Sequence, residues 1–302
     1  MMRLGISVAA VLWAAPSVYA REAEPATGVP AAIFTDPRAD PASPARMEVL
    51  HITSGGSTIN AVAYLAAGPG PHPTLVICHG WPGNEKNLDL AQAVRRAGWN
   101  AVSFNYRGFW GSGGRFRFAY NPEDARAVLA YLRDPARAAA LKIDGARIAL
   151  SGHSMGGWVS ALVGGQDNQL IGTALISAAN LGKAGTMARA DLLPLAAGNM
   201  ESLAGTSPEQ LADELTARAR EFDFLAAAPG LARKPLLVLS SNDGLAPDTD
   251  ALVARVRGQG GARVTQTHVA TDHSWSDRRI ELQARVIRWL EALVPPRQAS
   301  KE

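Results

Sequence analysis

The densest chemistry in the chain lies in the run Arg147-Ile-Ala-Leu-Ser-Gly-His-Ser-Met-Gly-Gly-Trp158. A serine hydroxyl is a poor nucleophile until an imidazole takes its proton, and that imidazole needs a carboxylate to orient it. Ser154 stands at the centre of a Gly-x-Ser-x-Gly pattern, between Gly152 and Gly156. The apolar run Ile148, Ala149 and Leu150 before it has β character, and Trp158, Val159, Ala161, Leu162 and Val163 after it recur at helical spacing. Strand, sharp turn and helix in that order push a serine out at the carboxyl end of the strand, over a helix N-terminus. So tight a turn tolerates only small residues two positions either side, which the glycines provide. Without that context the pattern could be chance, since the chain is rich in Gly.

The partners of such a serine must come from other strand ends, where the usable groups of an open parallel sheet collect. Asp243 follows Leu236-Leu-Val-Leu-Ser-Ser-Asn242, where a strand would end. The preceding strand ends in Ser177-Ala-Ala-Asn180 and offers no acid; Asp248 and Asp250 begin the next helix, where capping accounts for them. Of the six histidines, only His273 both follows the proposed acid and sits in the loop after the last strand. His268 lies within that strand, His153 points away from its neighbour Ser154, His79 ends an earlier strand, and His51 and His72 belong to the β-rich start. Asp272 is too close in the chain to orient the ring of His273 and suits a cap. The order Ser154, Asp243, His273 is thus nucleophile, acid, base.

Two backbone donors are needed for the oxyanion of an acyl intermediate. One is the N–H of Met155, at the start of the helix after Ser154. The other belongs to the loop His79-Gly-Trp-Pro-Gly83, where Pro82 has no N–H and Trp81 is the candidate. An ordinary Gly/Pro turn would read the same way. Trp81, Phe109, Trp110 and Trp275 are the candidate substrate-binding aromatics, while Trp158, one helical turn past Ser154, suits the core.

The elements that must position these groups alternate. Met47–Thr53 and Thr58–Ala66 read as a hairpin across Ser54-Gly-Gly-Ser57. Thr74–Cys78 and Ala101–Phe104 are apolar runs suited to doubly buried strands. Between them Asn84 is a candidate cap for a helix through Leu88, Leu90, Ala91 and Val94. Pro122 opens a further helix through Ala125, Val128, Leu129 and Leu132. After Ile171–Ala178 the alternation fails: residues 181–234 carry only helical patches, one capped by Ser207 before Pro208, and read as an inserted cap. Pro235–Ser240, Thr249–Arg257, Arg263–Val269 and Ser276–Leu293 resume it as strand, helix, strand and helix. Such alternation implies an α/β fold, a mostly parallel sheet covered by helices on both faces.

A chain of 302 residues with 47% hydrophobic content can bury a sizeable core. The formal net charge of +3 and the isolated doublets Arg95-Arg96 and Arg278-Arg279 leave no nucleic-acid footprint. Residues 1–20, with Arg3 followed by an apolar run and Val18-Tyr-Ala20, read as a cleavable signal peptide, which predicts a periplasmic or secreted protein. Residues 21–46, rich in Pro and Ala, read as a mobile arm; 47–295 form the domain and 296–302 a tail. The single cysteine, Cys78, excludes an internal disulfide and suits a small buried hydrophobe; with no Cys after the apolar run, no stable membrane anchor is expected.

The loop His79–Gly83, Tyr106-Arg107-Gly108 with Ser112-Gly113-Gly114, the serine pattern, Asn242-Asp243-Gly244 and Asp272-His273 together resemble the α/β-hydrolase superfamily. Its serine esterases, dienelactone-hydrolase-like proteins and prolyl-oligopeptidase-type catalytic domains are the members most similar in these motifs. The resemblance implies an eight-stranded sheet and acyl-enzyme hydrolysis of a small ester or acyl substrate with no metal or organic cofactor. The residues are compatible with three functions: a carboxylesterase, a peptidase or amidase using Glu201, Asp213 or Glu214 to hold an amino terminus or a charged side chain, and a non-catalytic binder.

Overall fold

The structure, a computed structural model, describes residues 28–261 and 263–294. The segment read as a signal peptide and the tail from 296 lie outside the described residues. The hairpin comes first: β1 (Arg46–Ser54) and β2 (Ser57–Leu65) pair antiparallel with Ser54 opposite Ser57. Gly55 and Gly56 both take positive φ (54° and 78°), the turn whose twist matches that of the strands it joins. Then follow β3 (His72–Cys78), α1 (Leu88–Arg96), β4 (Asn100–Phe104), α2 (Tyr120–Arg133), α3 (Pro135–Ala140), β5 (Ile143–His153), α4 (Met155–Gln166) and β6 (Gly172–Ile176). Residues 181–234 hold α5 (Leu181–Ala184), α6 (Arg189–Ala197), α7 (Pro208–Ala217) and α8 (Ala228–Leu231). The chain closes with β7 (Leu236–Ser240), α9 (Ala246–Gly258), β8 (Val264–His268) and α10 (Arg279–Leu293).

The eight strands form one sheet in the order β1-β2-β4-β3-β5-β6-β7-β8. From β4 to β8 every pairing is parallel. Strands β4, β6 and β7 are buried along their whole length, which is why apolar residues stand at successive positions in them rather than at alternate ones. Successive residues still point to opposite faces. Val76, Leu150 and Val238 join the core under α2, α4 and α9, whereas Leu75, Ala149 and Leu237 join the core under α1 and α10. The chain runs from β3 outward to β4, then returns to the other side of β3 as β5. Loops leaving the carboxyl ends of β3 and β5 therefore diverge, and a crevice opens between them.

Several local expectations are corrected. Within the arm, residues 31–33 form a turn of 3-10 helix whose Ala32 and Ile33 carbonyls accept from the Arg96 guanidinium, at 2.5 and 2.9 Å. Asn84 does not cap α1. The chain stays irregular to Asn87, whose N–H is taken by the Glu85 carboxylate (2.5 Å), and Asn84 instead donates to Glu201 of the insertion. Pro122 does not open α2, which starts at Tyr120; it lies in the first turn, where no intrahelical N–H is needed. Ser207 does cap α7, accepting from the Gln210 N–H. Cys78 is fully buried, and burial pushes its thiol up to about 12.

Packing is very tight at the β5–α4 turn. A Cβ on Gly152 would lie 1.9 Å from the Gly156 carbonyl oxygen, and one on Gly156 would lie 2.0 Å from that of Cys78 in β3. Both obstacles are backbone, so no rotamer change relieves them. Alanine favours helix over glycine by about 1 kcal/mol, yet Gly156→Ala is expected to destabilise the fold by more than the ~1–3 kcal/mol typical of overpacking. Urea denaturation measures this. A variant with an unchanged midpoint would mean that strand and helix stand further apart than this.

Candidate active site

Ser154 has φ 57° and ψ −121°, a strained conformation for a residue with a side chain. Its backbone is clamped: its N–H donates to the Ile176 carbonyl (3.0 Å), and its carbonyl accepts from Gly157 (2.9 Å) and Ala179 (3.1 Å). The elbow is thereby fixed between the end of β6 and the start of α4.

The loops after β7 and β8 bring Asp243 and His273 together, with Nδ1 of the ring donating to Oδ2 of the carboxylate at 2.7 Å. Asp243 also accepts from the Leu245 N–H and from the Ser241 hydroxyl, both at 2.9 Å. Burial raises its pKa, but these donors outweigh that and hold it below the ordinary carboxylate value. A longer chain of hydrogen bonds lies behind them. The Trp275 indole N–H donates to Ser177 Oγ (3.1 Å), which lies 2.8 Å from Ser241 Oγ. Since the only hydroxyl proton of Ser241 goes to the carboxylate, Ser177 is the donor to Ser241. Each hydroxyl accepts once and donates once along the path from Trp275 to Asp243.

His273 is held at its main chain as well. Nε2 of His153 donates to the His273 carbonyl at 2.8 Å, and the two rings lie 4.6 Å apart. His153 immediately precedes Ser154, so the loop carrying His273 is tied to the elbow itself. Among the described residues no hydrogen bond joins the His273 ring to Ser154 Oγ, and that ring is part-exposed.

The loop after β3 lies against the elbow: a Cβ on Gly80 would be 3.1 Å from Cβ of Ser154. The Gly80 carbonyl is held by Nδ1 of the buried His79 at 2.7 Å. In a trans peptide the next N–H points the opposite way, so His79 turns the N–H of Trp81 away from the core. Among the described residues the N–H groups of Trp81 and Met155 have no hydrogen-bond partner. A cavity of about 410 Å³ opens on Ser154, walled by Trp81, Met155, Leu181 and Ala184, with Leu195 and Leu215 from the insertion.

Of the aromatics expected to bind substrate, only Trp81 lines that cavity. Phe109 is fully buried, edge-on to His79 and Phe116. Trp275 is fully buried at the start of the hydroxyl chain. Trp110 is exposed but outside the cavity wall, and its indole N–H donates to the Gly83 carbonyl at 2.9 Å. The residues missed by sequence reasoning are Ser177, Ser241 and His153, together with the apolar wall that the insertion supplies.

His79 and His153 are buried, and burial lowers both rings to about 4; the neighbouring His273 lowers His153 further. The folded chain keeps these rings neutral, whereas the unfolded chain protonates them below about 6.5. Their contribution is therefore complete above pH 6.5 and is lost as pH falls toward 4, at up to about 1.4 kcal/mol per pH unit per ring. Asp124 and Glu214, raised by burial, pull the other way. The His153→Gln variant isolates one ring: its unfolding free energy should fall less steeply than wild type between pH 6.5 and 4. Parallel profiles in urea titrations would refute this.

Among the described residues no group of three or more His, Cys, Asp or Glu side chains is arranged to hold a metal, and no helix is long and apolar enough to cross a membrane. The alpha/beta hydrolase family model matches residues 75–297. An uncharacterized protein of Mycobacterium tuberculosis is 30% identical over 125 residues, which span 41% of this chain and 43% of that protein, so less than half of the relative is matched. Among solved structures, a Pyrococcus furiosus esterase superposes with a TM-score of 0.61 at 16% identity, covering 82% of this chain and 91% of the esterase. The acylaminoacyl peptidase of Pyrococcus horikoshii gives 0.62 at 15%, covering 82% and 41%, and a puromycin hydrolase gives 0.60 at 21%, covering 86% and 40%. Identities this low show a shared fold. With the family match running from β3 past the end of α10, the chain belongs to the alpha/beta hydrolase family.

Proposed function

We propose that the protein is an exported serine hydrolase that cleaves carboxylic esters through an acyl-enzyme on Ser154. In this reading His273 takes the hydroxyl proton and returns it to the leaving alcohol, while Asp243 orients the ring and stabilises its charged form. The N–H groups of Trp81 and Met155 receive the oxyanion. The observation that carries the reading is the pair of unpartnered N–H groups, one at the elbow and one in the loop after β3, on residues that wall an apolar cavity with Ser154. A buried region leaves backbone donors unpaired only where something else is to meet them. Residues 181–234 are read as the cap that closes this cavity. Export rests on the composition of residues 1–20 alone.

The peptidase reading asks for a free acid near the site to hold an amino terminus. Glu201 accepts from Asn84, Asp213 pairs with Arg189, and Glu214 accepts from the Phe118 and Ala119 N–H groups; none of them lines the cavity. This favours esters. It is checked by comparing p-nitrophenyl esters with aminoacyl nitroanilides, the esters being turned over and the anilides not.

Ser154→Ala should abolish ester hydrolysis and fluorophosphonate labelling while leaving the melting temperature near wild type. Asp243→Asn should lower kcat by about 10⁴-fold, the loss seen when a serine triad loses its orienting carboxylate. Substantial turnover by the first variant would end the assignment of Ser154. Normal rates from the second would move the acid elsewhere.

A further inference from the structure

The cavity at Ser154 has two charged side chains in its wall, Lys183 of α5 and Asp248 at the start of α9. They come from the insertion and the parent domain and are paired, Nζ to Oδ1, at 2.7 Å. Asp248 is mostly covered, with its side chain 16% exposed, while Lys183 stands at the mouth. The other polar side chains of the wall are uncharged, and both amides make bonds within the fold. Asn180 donates to Asp223 and accepts from the Gly182 and Phe224 N–H groups, and Asn199 donates to the Leu195 carbonyl. The remaining wall is largely apolar, including Trp81, Leu181, Ala184, Met187, Leu195 and Leu215. The cavity thus offers an incoming group no unpaired charge.

The half of the substrate that sits there follows from proton transfer, and this step rests on the reading of Ser154 and His273 given above. The leaving oxygen receives its proton from the His273 ring and must lie beside it. His273 does not line the cavity, whereas Ser154, Met155 and Trp81 do. The acyl half therefore occupies the cavity, and the alcohol half leaves past His273.

We propose that the Lys183–Asp248 ion pair is the specificity element of the acyl site, keeping its wall electrically neutral so that the enzyme takes esters of uncharged, apolar acids. A carboxylate or ammonium on the acyl chain would lose its hydration against apolar side chains and find its natural counter-ion already paired. Breaking the pair changes that. Asp248→Asn leaves the Lys183 ammonium to receive an anionic acyl group. Lys183→Met leaves the Asp248 carboxylate to receive a cationic one.

The experiment measures kcat/KM for three p-nitrophenyl esters of similar length: butyrate, the succinate monoester and 4-(trimethylammonio)butyrate. Wild type should prefer butyrate over both charged esters by about 100-fold or more, equivalent to two tenfold steps of about 1.4 kcal/mol. Asp248→Asn should raise the succinate-to-butyrate ratio by about tenfold or more, and Lys183→Met the trimethylammonio-to-butyrate ratio by as much. The exchange Lys183→Asp with Asp248→Lys should restore the preference for butyrate, and it keeps the test open if a single variant fails to fold. Unchanged ratios in both single variants, with butyrate still hydrolysed, would overturn the ion-pair proposal and leave the Ser154 reading standing. A charge preference in the exchanged double variant would also overturn it. Failure of wild type to hydrolyse any ester would sink both.

Discussion

Strand β5 and helix α4 can meet as closely as they do only because no side chain stands between them. The Gly156 position is pressed against the Cys78 carbonyl of the neighbouring strand, and Gly152 against the first turn of the helix. That contact forces the intervening residue into a positive φ and lifts its side chain above the sheet edge. Where Ser154 stands then dictates what every other part of the site must reach. The loop after β3 is close enough to supply Trp81 because β3 pairs with β5 in register from Thr74 to Cys78. The loops after β7 and β8 must cross the end of β6 to arrive from the other side, and the ties from Ser177 to Ser241 and from His153 to His273 are made on that crossing.

The acid end of the site shows how a fold holds a half-buried charge without exposing it. Burial alone would make Asp243 a weaker acid, and a protonated carboxyl could not stabilise an imidazolium. Three donors reverse the outcome, and one of them is the far end of a chain that begins at a buried indole. Because each hydroxyl in that chain has one proton, the direction of all the bonds is set by the two ends, indole N–H and carboxylate. The base end follows the opposite logic. His153 is kept neutral by burial, so it braces the His273 loop without placing a positive charge beside that ring.

Much of this was legible in the residues. Ser154 and Asp243 can be singled out because each stands just past an apolar run, and His273 because it follows the last strand, strand ends being where a parallel sheet exposes its chemistry. The strands were legible because doubly buried strands carry apolar residues at successive positions. What failed was the direction of side chains in irregular segments. Phe109, Trp110 and Trp275 read like Trp81 in the sequence, as aromatics near the site, but an indole N–H is satisfied equally well by a ligand, a backbone carbonyl or a buried hydroxyl. Trp275 took Ser177, and Trp110 took the Gly83 carbonyl. Neither choice leaves a trace in spacing. Asn84 looked like a helix cap because cap residues are recognised locally, yet its partner, Glu201, lies 117 residues away. The hydroxyl chain has no periodicity at all.

The insertion was the least legible segment and proves to be bound to the site by its backbone. Residues 202–204 run alongside the loop after β4: Phe109 and Leu203 form a bridge, Trp110 donates to the Ser202 carbonyl, and Phe116 donates to that of Ala204. The Ser202 hydroxyl donates to the Pro82 carbonyl, next to Trp81. With the Gly80 carbonyl held by His79 and that of Gly83 by Trp110, the loop presenting the Trp81 N–H is fixed on both sides and in front. One of those supports comes from the cap. A segment that walls the cavity through Leu181, Leu195 and Leu215 while also gripping the loop after β3 cannot swing away as a free lid without disturbing the Trp81 N–H. The shape of the cavity and the alignment of that N–H are in this way mechanically coupled, and a sequence change in residues 181–234 that alters one is constrained by the other.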